Sequence, residues 1–323
     1  MEKKIQKTNL KSIAQLLLEP GFDRVLVACH RSPDGDATGS SHALAYALRK
    51  LGKQARVFCP DPFGREFSYL TEAEEGLFSF EPAYFVTVDI ASPEMLCGAQ
   101  FTSCIKVALD HHRVNTVESE FKYVDPEKAS CGEIVLQLLR EMNVEFDRYL
   151  AMALYTAVAT DTGCFRYSNT KEDTFLAAAF LSGYAQEGDF YRINKAMFET
   201  KSALLLSLES YAASHLKTSC DGRLAYLTLS LEEQAKLGAS YSDLDTMINV
   251  IRQLEGVKVC FVAKEREKGV FKVSVRSEQG FDACDFCRTF GGGGHTAAAG
   301  CTLEGTETDI TARLLEEVER RFA

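Results

Sequence analysis

The stretch Val25-Leu-Val-Ala-Cys-His-Arg-Ser-Pro-Asp-Gly-Asp36 decides the fold of this chain. Its first five residues are apolar and are typical of a buried strand in a parallel sheet. Pro33 and Gly35 then predict a tight loop. Residues 37–51 follow with apolar side chains at helical spacing, and Gly52 stands where a helix C-cap is expected. This order of strand, loop and helix predicts an α/β fold.

The same alternation continues through the first half of the sequence. Further buried strands are predicted at residues 55–59, 84–88 and 106–109, and helices at 131–142, 147–160 and 172–183. Together these segments predict a doubly wound α/β domain with a parallel sheet. Ligands of such domains collect at the carboxyl ends of the strands.

The second half of the sequence predicts a smaller α/β domain. Residues 190–216 are expected to form one mostly helical connector, which sets domain boundaries at 1–189, 190–216 and 217–323. Beyond the connector, strands are predicted at 223–230, 257–264 and 270–276, and helices at 243–254 and 282–290. A short strand after Gly300 and a helix from Asp309 complete the domain.

Bulk composition excludes several classes of protein. A length of 323 residues predicts two domains, and 46% hydrophobic with 25% charged residues is ordinary for a globular chain. The net charge of −10 argues against a protein that coats long nucleic acid, because such binding needs many contacts from Lys and Arg to phosphates. An anionic substrate must therefore be small and locally neutralised.

The chain is expected to be cytoplasmic, without contact to membrane. The apolar cluster at residues 14–18 ends at Glu19, and the longest uncharged stretch, 149–160, is shorter than the roughly 20 residues that a span needs. The eleven cysteines are spread through apolar runs, where free thiols behave as small hydrophobic groups, so they are expected to be reduced.

Ligand-type side chains occur at the ends of the predicted strands, in four separate segments. The candidates are His30, Asp34, Asp36, Asp89, Asp110, His111, His112 and Asp161. Any one aspartate in such a place is more often a turn former or a helix cap. The whole set instead predicts a two-metal phosphoryl hydrolase, with Mn²⁺ or Mg²⁺ favoured by oxygen and nitrogen ligands.

These segments resemble the motifs of the DHH phosphoesterase superfamily. Gly291-Gly-Gly-Gly-His295 with Ala299-Gly300 resembles the signature of the DHH-associated C-terminal domain, so the resemblance covers nearly the whole chain. It implies that His30, Asp34 and Asp89 bind one cation. It also implies that Asp36, Asp89, His111 and Asp161 bind a second, with Asp89 as the bridge.

The resemblance assigns roles to the remaining candidates as well. His112 would stabilise charge on the phosphoryl group or protonate the leaving group, and Asp110 would orient an imidazole. The active site would lie in the cleft between the two domains. There Gly291, Gly292, Gly293 and Gly294 would approach an anion, with His295 as an added donor, and Arg276 would clamp a phosphate.

The resemblance favours one activity and leaves others open. The chain is similar to two-domain bacterial enzymes that degrade short oligoribonucleotides and remove the 3′-phosphate from 3′-phosphoadenosine 5′-phosphate (pAp). Cyclic-di-AMP phosphodiesterases are the alternative, and a nucleotide-binding regulator without activity is another. Cys284 and Cys287, with Cys301 and His295, also suggest a zinc site, which is disfavoured because Cys284 and Cys287 fall in a helical pattern. The sequence leaves open whether the chain forms a homodimer.

Overall fold

The computed structural model describes residues 6–7, 9–72, 80–241 and 243–322. The chain divides into two compact units, Met1–Thr200 and Lys201–Ala323, and each is described by itself. Within these described ranges, no helix combines the length and apolar character needed to cross a bilayer.

The first unit is built on a six-stranded sheet in which all strand pairs are parallel. Its strands are β1 (Gln6–Lys7), β2 (Val25–Ala28), β3 (Ala55–Phe58), β4 (Tyr84–Val88), β5 (Ile105–Asp110) and β6 (Phe121–Val124). The strand order is β1-β6-β5-β4-β2-β3. The predicted α/β class with a parallel sheet is confirmed. β1 and β6 were not predicted; β1 is only two residues long, and β6 is only half-buried and lacks a continuous buried run.

Helices cover one face of this sheet. The helices of this unit are α1 (Leu10–Leu18), α2 (Gly35–Lys50), a single turn α3 (Ser68–Thr71), α4 (Cys131–Glu141), α5 (Arg148–Asp161), α6 (Glu172–Ser182) and α7 (Asp189–Asn194). Of these, α6 and α7 pack mainly on α5. α2 is buried along nearly all of residues 35–48. Where α5 packs closely against it, only small side chains fit. A Cβ at Gly39 would lie 2.2 Å from the Ala153 carbonyl oxygen and 2.9 Å from the Ala157 nitrogen. This close packing draws the start of α2 into the protein interior.

The opposite face of the sheet is covered by short turns. A separate apolar cluster there includes Ala28, Ile90, Leu96 and Ala108. Leu96 belongs to a 3₁₀ turn at Pro93–Leu96, and a second 3₁₀ turn follows at Gln100–Cys104. Because the loops that leave β2, β4 and β5 start at the same edge of a parallel sheet, their side chains converge there.

The expected connector at residues 190–216 contains two helices. α7 continues into a π-helical turn at Lys195–Glu199 and then ends, and α8 (Ala203–His215) begins after the N-cap Ser202. The boundary between the two compact units falls in this interruption, between Thr200 and Lys201.

The second unit contains a mixed six-stranded sheet. Its strands are β7 (Lys217–Ser219), β8 (Leu224–Leu229), β9 (Val259–Glu267), β10 (Val270–Ser277), β11 (Gly293–His295) and β12 (Ala298–Glu304). The order is β11-β12-β10-β9-β8-β7, and only the β8–β9 pair is parallel. The remaining helices are α9 (Leu231–Leu237), α10 (Met247–Ile251), α11 (Ala283–Arg288) and α12 (Glu307–Phe322). α8 and α10 pack on one face, and α11 and α12 on the other.

The glycine run is partly a strand. Gly293–His295 forms β11 and pairs with β12. A Cβ at Gly292 would lie 2.2 Å from the Gly300 carbonyl oxygen, and one at Gly294 would lie 2.6 Å from the Ala298 carbonyl oxygen. Two of the four glycines are therefore required by the close approach of neighbouring backbone.

Candidate metal centre

Hydrogen bonds to backbone groups hold the loop after β2 in place. His30 donates from Nδ1 to the carbonyl oxygen of Arg31, 2.7 Å away, which turns Nε2 toward the carboxylates. Ser32 has a left-handed φ of 50°, and its N–H donates to Asp61 at 2.8 Å. Asp34 caps α2 by accepting the Ala37 N–H, and its Oδ1 lies 3.8 Å from His30 Nε2.

Asp89 lies between two imidazoles. It directly follows β4, has an unusual φ of 56°, and is 2% exposed. Its Oδ2 lies 3.5 Å from Nε2 of His30, while its Oδ1 lies 3.5 Å from Nε2 of His111. The two oxygens of one carboxylate therefore face two different ligand groups.

His111 faces carboxylates from three separate segments. Its Nε2 lies 3.5 Å from Asp89 Oδ1, 3.7 Å from Asp36 Oδ2 and 3.6 Å from Asp161 Oδ2. Its other ring nitrogen, Nδ1, donates to the Lys128 carbonyl oxygen at 3.3 Å. This second contact fixes the tautomer that presents an Nε2 lone pair to a cation.

Asp36 joins the site to the start of another helix. Its carboxylate accepts the N–H groups of Cys131 at 2.6 Å and Gly132 at 2.9 Å, and the hydroxyl of Ser40 at 3.0 Å. Cys131 and Gly132 open α4, whose N-cap is Ser130. The amide donors and the positive end of the helix dipole both favour a carboxylate at this position.

His112 is oriented by a buried carboxylate. Its Nδ1 donates to Asp110 Oδ1 at 2.8 Å, and Asp110 is fully buried. The side chain of Asn115 donates to Asp110 Oδ2 at 2.6 Å and also to the carbonyl oxygen of Ile90 at 2.8 Å. Asn115 thus ties the β5 end to the residue that follows Asp89.

The electrostatics of the site are those of crowded carboxylates. Burial, reinforced by the charges of Asp89 and Asp161, raises the pKa of Asp36 well above 3.8. Burial also raises the pKa of Asp161 to about 7, against the attraction of His111 and with the repulsion of Asp89. Burial opposes protonation of His111, but the close contact with Asp89 and the charges of Asp36 and Asp161 raise its pKa to about 11. These shifts reflect carboxylates held close together, and a cation between them would relieve their mutual repulsion.

A divalent cation fits this arrangement. Three groups of side chains bring one ligand atom each to within 4.8 Å of one another: His30, Asp34 and Asp89; Asp36, His111 and Asp161; and Asp89, His111 and His112. Ligands bound at about 2.1 Å to one ion lie about 3 to 3.5 Å apart, close to the separations found here. The buried Oδ1 of Asp89 has no hydrogen-bond partner among the described residues, as expected for an oxygen that serves as a metal ligand.

The other predicted binding residues belong to the second unit. Arg276 lies on β10 opposite Ala298 of β12, which in turn pairs with His295 of β11. Arg276 donates from Nη1 to the Val275 carbonyl oxygen at 3.0 Å. The side chain of His295 lies outside the described part of the structure. Among the described residues, the cysteines of α11 and β12 are not part of a group that could hold a metal.

Asn115, Asp61 and the amides of Cys131 and Gly132 also belong to the site and were not predicted from the sequence. Asn115 stands five residues after Asp110, and this closeness of a polar amide to the Asp110–His112 triplet is the sequence feature that could have pointed to it. The contact from Asp36 to α4 spans 95 residues of sequence, so no local pattern shows it.

Five aspartates and three histidines meet at the carboxyl edge of the parallel sheet, which defines the chain as an α/β protein with a candidate multinuclear metal centre. The sequence matches the DHH family, N-terminal domain, over residues 24–158, and the DHHA1 domain over residues 221–323. The chain belongs to the DHH family, which confirms the resemblance.

Two related proteins and one solved structure are similar to this chain along almost its whole length. The bifunctional oligoribonuclease and PAP phosphatase NrnA of Thermus thermophilus is 34% identical over 307 residues, covering 92% of this chain and 90% of the relative. The protein of the same name from Bacillus subtilis is 24% identical over 306 residues, covering 92% and 94%. The crystal structure of an exopolyphosphatase-related protein from Bacteroides fragilis shares the fold, with a TM-score of 0.84, 23% identity and 96% coverage of both chains.

Proposed function

We propose that this protein is a metal-dependent phosphohydrolase that degrades short oligoribonucleotides to mononucleotides and converts pAp to AMP. The observation that carries the proposal is the placement of Asp89, whose two carboxylate oxygens each face a different imidazole in a different ligand group. The names of the relatives, which are similar over about nine-tenths of the chain, support the two substrates.

The proposed ligand sets follow the three groups of side chains. His30, Asp34 and Asp89 would hold one cation, and Asp36, Asp89, His111 and Asp161 the other. Mn²⁺ is the proposed ion and Mg²⁺ the alternative, because the ligands are oxygen and imidazole nitrogen without thiolate. When bound, such a pair of ions activates water and neutralises charge on the phosphoryl group.

His112 would act on the reacting phosphate. Because Asp110 binds Nδ1 of His112, the ring is oriented with Nε2 as its second polar atom. Burial opposes protonation, but the hydrogen bond and charge of Asp110 raise the pKa of His112 above its ordinary value of 6.5. A protonated His112 can stabilise phosphoryl charge or give its proton to a departing oxygen.

The second unit would bind another part of the substrate. A guanidinium can hold phosphate through two hydrogen bonds, which is the role proposed for Arg276. The N–H groups of Gly291, Gly292, Gly293 and Gly294, with the imidazole of His295, would add donors for the same anion. A dinucleotide needs only such a local pocket, which agrees with the net charge of −10.

A substrate panel tests the proposal. Purified protein with Mn²⁺ is assayed on pAp, on an RNA ladder of two to five residues, on cyclic-di-AMP, on pyrophosphate and on long single-stranded DNA. We expect phosphate from pAp and mononucleotides from the ladder, with little action on long DNA. A much higher kcat/KM for cyclic-di-AMP would favour the rival activity, and no turnover of any phosphoester would leave a nucleotide-binding regulator.

A further inference from the structure

One face of the second unit's sheet presents an open strip along β10 and β12. Six residues form this open strip: Lys272, Ser274 and Arg276 of β10, and their partners Thr302, Gly300 and Ala298 of β12. They share a face because residues two apart on a strand point to the same side and paired residues face the same way. All six are exposed or half-buried, whereas the other face of both strands is buried with α11 and α12.

The open strip carries one cation at each end. Arg276 and Lys272 are four residues apart, which is roughly 13 Å along a strand. Lys264, the neighbour of Lys272 on β9, is buried and forms an ion pair with Asp245 at 2.6 Å. Lys272 is exposed and forms no ion pair with another residue that the structure describes. Of the two lysines, Lys272 is therefore the one that an anion can reach.

A depression of about 360 Å³ adjoins Lys272. Its lining consists of residues 291–293 of the glycine run, with Lys272, Gly300, Cys301 and Thr302. Thr302 lies opposite Lys272, and Gly293 pairs with Gly300, so the depression lies at the Lys272 end of the open strip. Its volume is in the lower range of ligand sites, and glycines leave its wall free of side chains. A ribose phosphate can therefore approach the backbone there.

We propose that Lys272 binds a second phosphate of the substrate, beyond the one held by Arg276, and so favours RNA longer than two residues. This inference rests on the proposed function, which assigns one substrate phosphate to Arg276. A phosphodiester in the depression would meet the ammonium of Lys272, and Thr302 offers a hydroxyl in the same place. Lys272 is thus a binding residue that acts on the length of the substrate.

The separation of the two cations supports two phosphates instead of one. Arg276 donates to the neighbouring Val275 carbonyl oxygen at 3.0 Å, which holds its guanidinium near its own end of the open strip. The two phosphates of pAp are attached to one ribose and lie closer together than the roughly 13 Å between these positions. A molecule of pAp bound at Arg276 therefore ends before Lys272, whereas RNA of four or five residues can extend along the whole strip.

Steady-state kinetics with Mn²⁺ compare pAp with RNA of two to five residues. Lys272→Ala should raise KM for the four- and five-residue RNA about tenfold, because one charge-assisted contact to phosphate is lost. The KM for pAp should change by less than about twofold. Lys272→Arg should restore most of the affinity for the longer RNA, since a guanidinium also binds phosphate.

A matched control removes the same charge elsewhere on the sheet. Lys217 is exposed on β7, at the edge opposite to β11. Lys217→Ala should leave KM for pAp and for all RNA lengths unchanged. An equal rise of KM for pAp and for five-residue RNA in Lys272→Ala would overturn the inference, as would an equal effect of Lys217→Ala on the longer RNA.

Binding without turnover separates this inference from the proposed function. Calorimetry measures the Kd of five-residue RNA for Asp89→Ala protein and for the Asp89→Ala, Lys272→Ala double variant as salt is raised. The slope of log Kd against log salt should be smaller by about 0.7 in the double variant, since one phosphate contact to a single strand is lost. An unchanged slope, or no RNA binding to either protein, would overturn the inference. Absence of turnover by the wild type would instead refute the proposed function, and the slope would still test Lys272.

Discussion

Replacing Asp161 with asparagine should stabilise the metal-free protein and destabilise the metal-loaded protein. Asp161 Oδ2 lies 3.6 Å from His111 Nε2, and its side chain is 27% exposed. Burial and the charges of Asp89 and Asp34 raise the folded-state pKa of Asp161 from 3.8 to about 7, although His111 opposes them. Without a cation, the ionised carboxylate is therefore a cost to the folded state.

The magnitude follows from proton linkage. A pKa raised from 3.8 to about 7 corresponds to at most about 4 kcal/mol, because each unit is worth about 1.4 kcal/mol. Because the side chain is partly exposed, solvent screening reduces this to roughly 2 kcal/mol. The folded pKa lies above the unfolded one, so the penalty is absent below pH 3.8, grows as pH rises, and is complete above about pH 7.

Urea unfolding followed by circular dichroism measures the effect. With chelator, Asp161→Asn should exceed the wild type in unfolding free energy by about 2 kcal/mol at pH 8 and by less than about 0.5 kcal/mol at pH 4.5. With Mn²⁺ at about a hundred times its Kd, the wild type gains about 2.7 kcal/mol and the variant gains less. Asp173→Asn, at an exposed ion pair with Lys128, should change little under all conditions. A variant that is less stable than wild type at pH 8 in chelator would refute the reasoning.

Four further outcomes are expected. Asp89→Ala should abolish turnover of every substrate in the panel, and retention of most activity would contradict the two-ion arrangement. Asn115→Ala should lower kcat by about ten- to a hundredfold with little change in KM, because Oδ2 of Asp110 loses its donor and the orientation of His112 loosens. Equal changes in kcat and KM would argue against a positioning role. Arg276→Ala should mainly raise KM for pAp, measured by steady-state kinetics, and an unchanged KM would remove this residue from the proposed binding site. Gly39→Ala should lower the unfolding free energy, measured by urea titration, by about 2 to 3 kcal/mol because α2 and α5 must separate. The control Gly21→Ala, with no atom within 4 Å of its Cβ position, should change the unfolding free energy by less than about 0.5 kcal/mol.

Local periodicity was enough to predict the strands that carry the ligands. β2, β4 and β5 are short apolar runs, and His30, Asp89 and Asp110 stand at or next to their carboxyl ends, where a parallel sheet must gather them. The α/β class followed from the same runs. Residues 190–216 are mostly helical, as expected, but helical composition does not show that the helix is interrupted between α7 and α8.

Contacts between distant segments could not be predicted. The amides that receive the Asp36 carboxylate lie about 95 residues away, and Asn115 reaches back 25 residues to Ile90. The glycine run was expected to approach an anion, and the structure adds that Gly292 and Gly294 are required by the neighbouring backbone of β12. Such requirements arise from packing, which a single sequence does not display.

The spread of the candidate ligands from His30 to Asp161 has a consequence for how the chain would acquire a cation. At a synthesis rate of about 5 to 20 residues per second, roughly ten seconds separate the appearance of the first ligand from that of the last. During that interval the early histidine and aspartates form only fragments, which any abundant transition metal could occupy weakly. The complete set of candidate ligands exists only after α5 has been synthesised, so selection among cations would fall to the folded site and not to these early fragments.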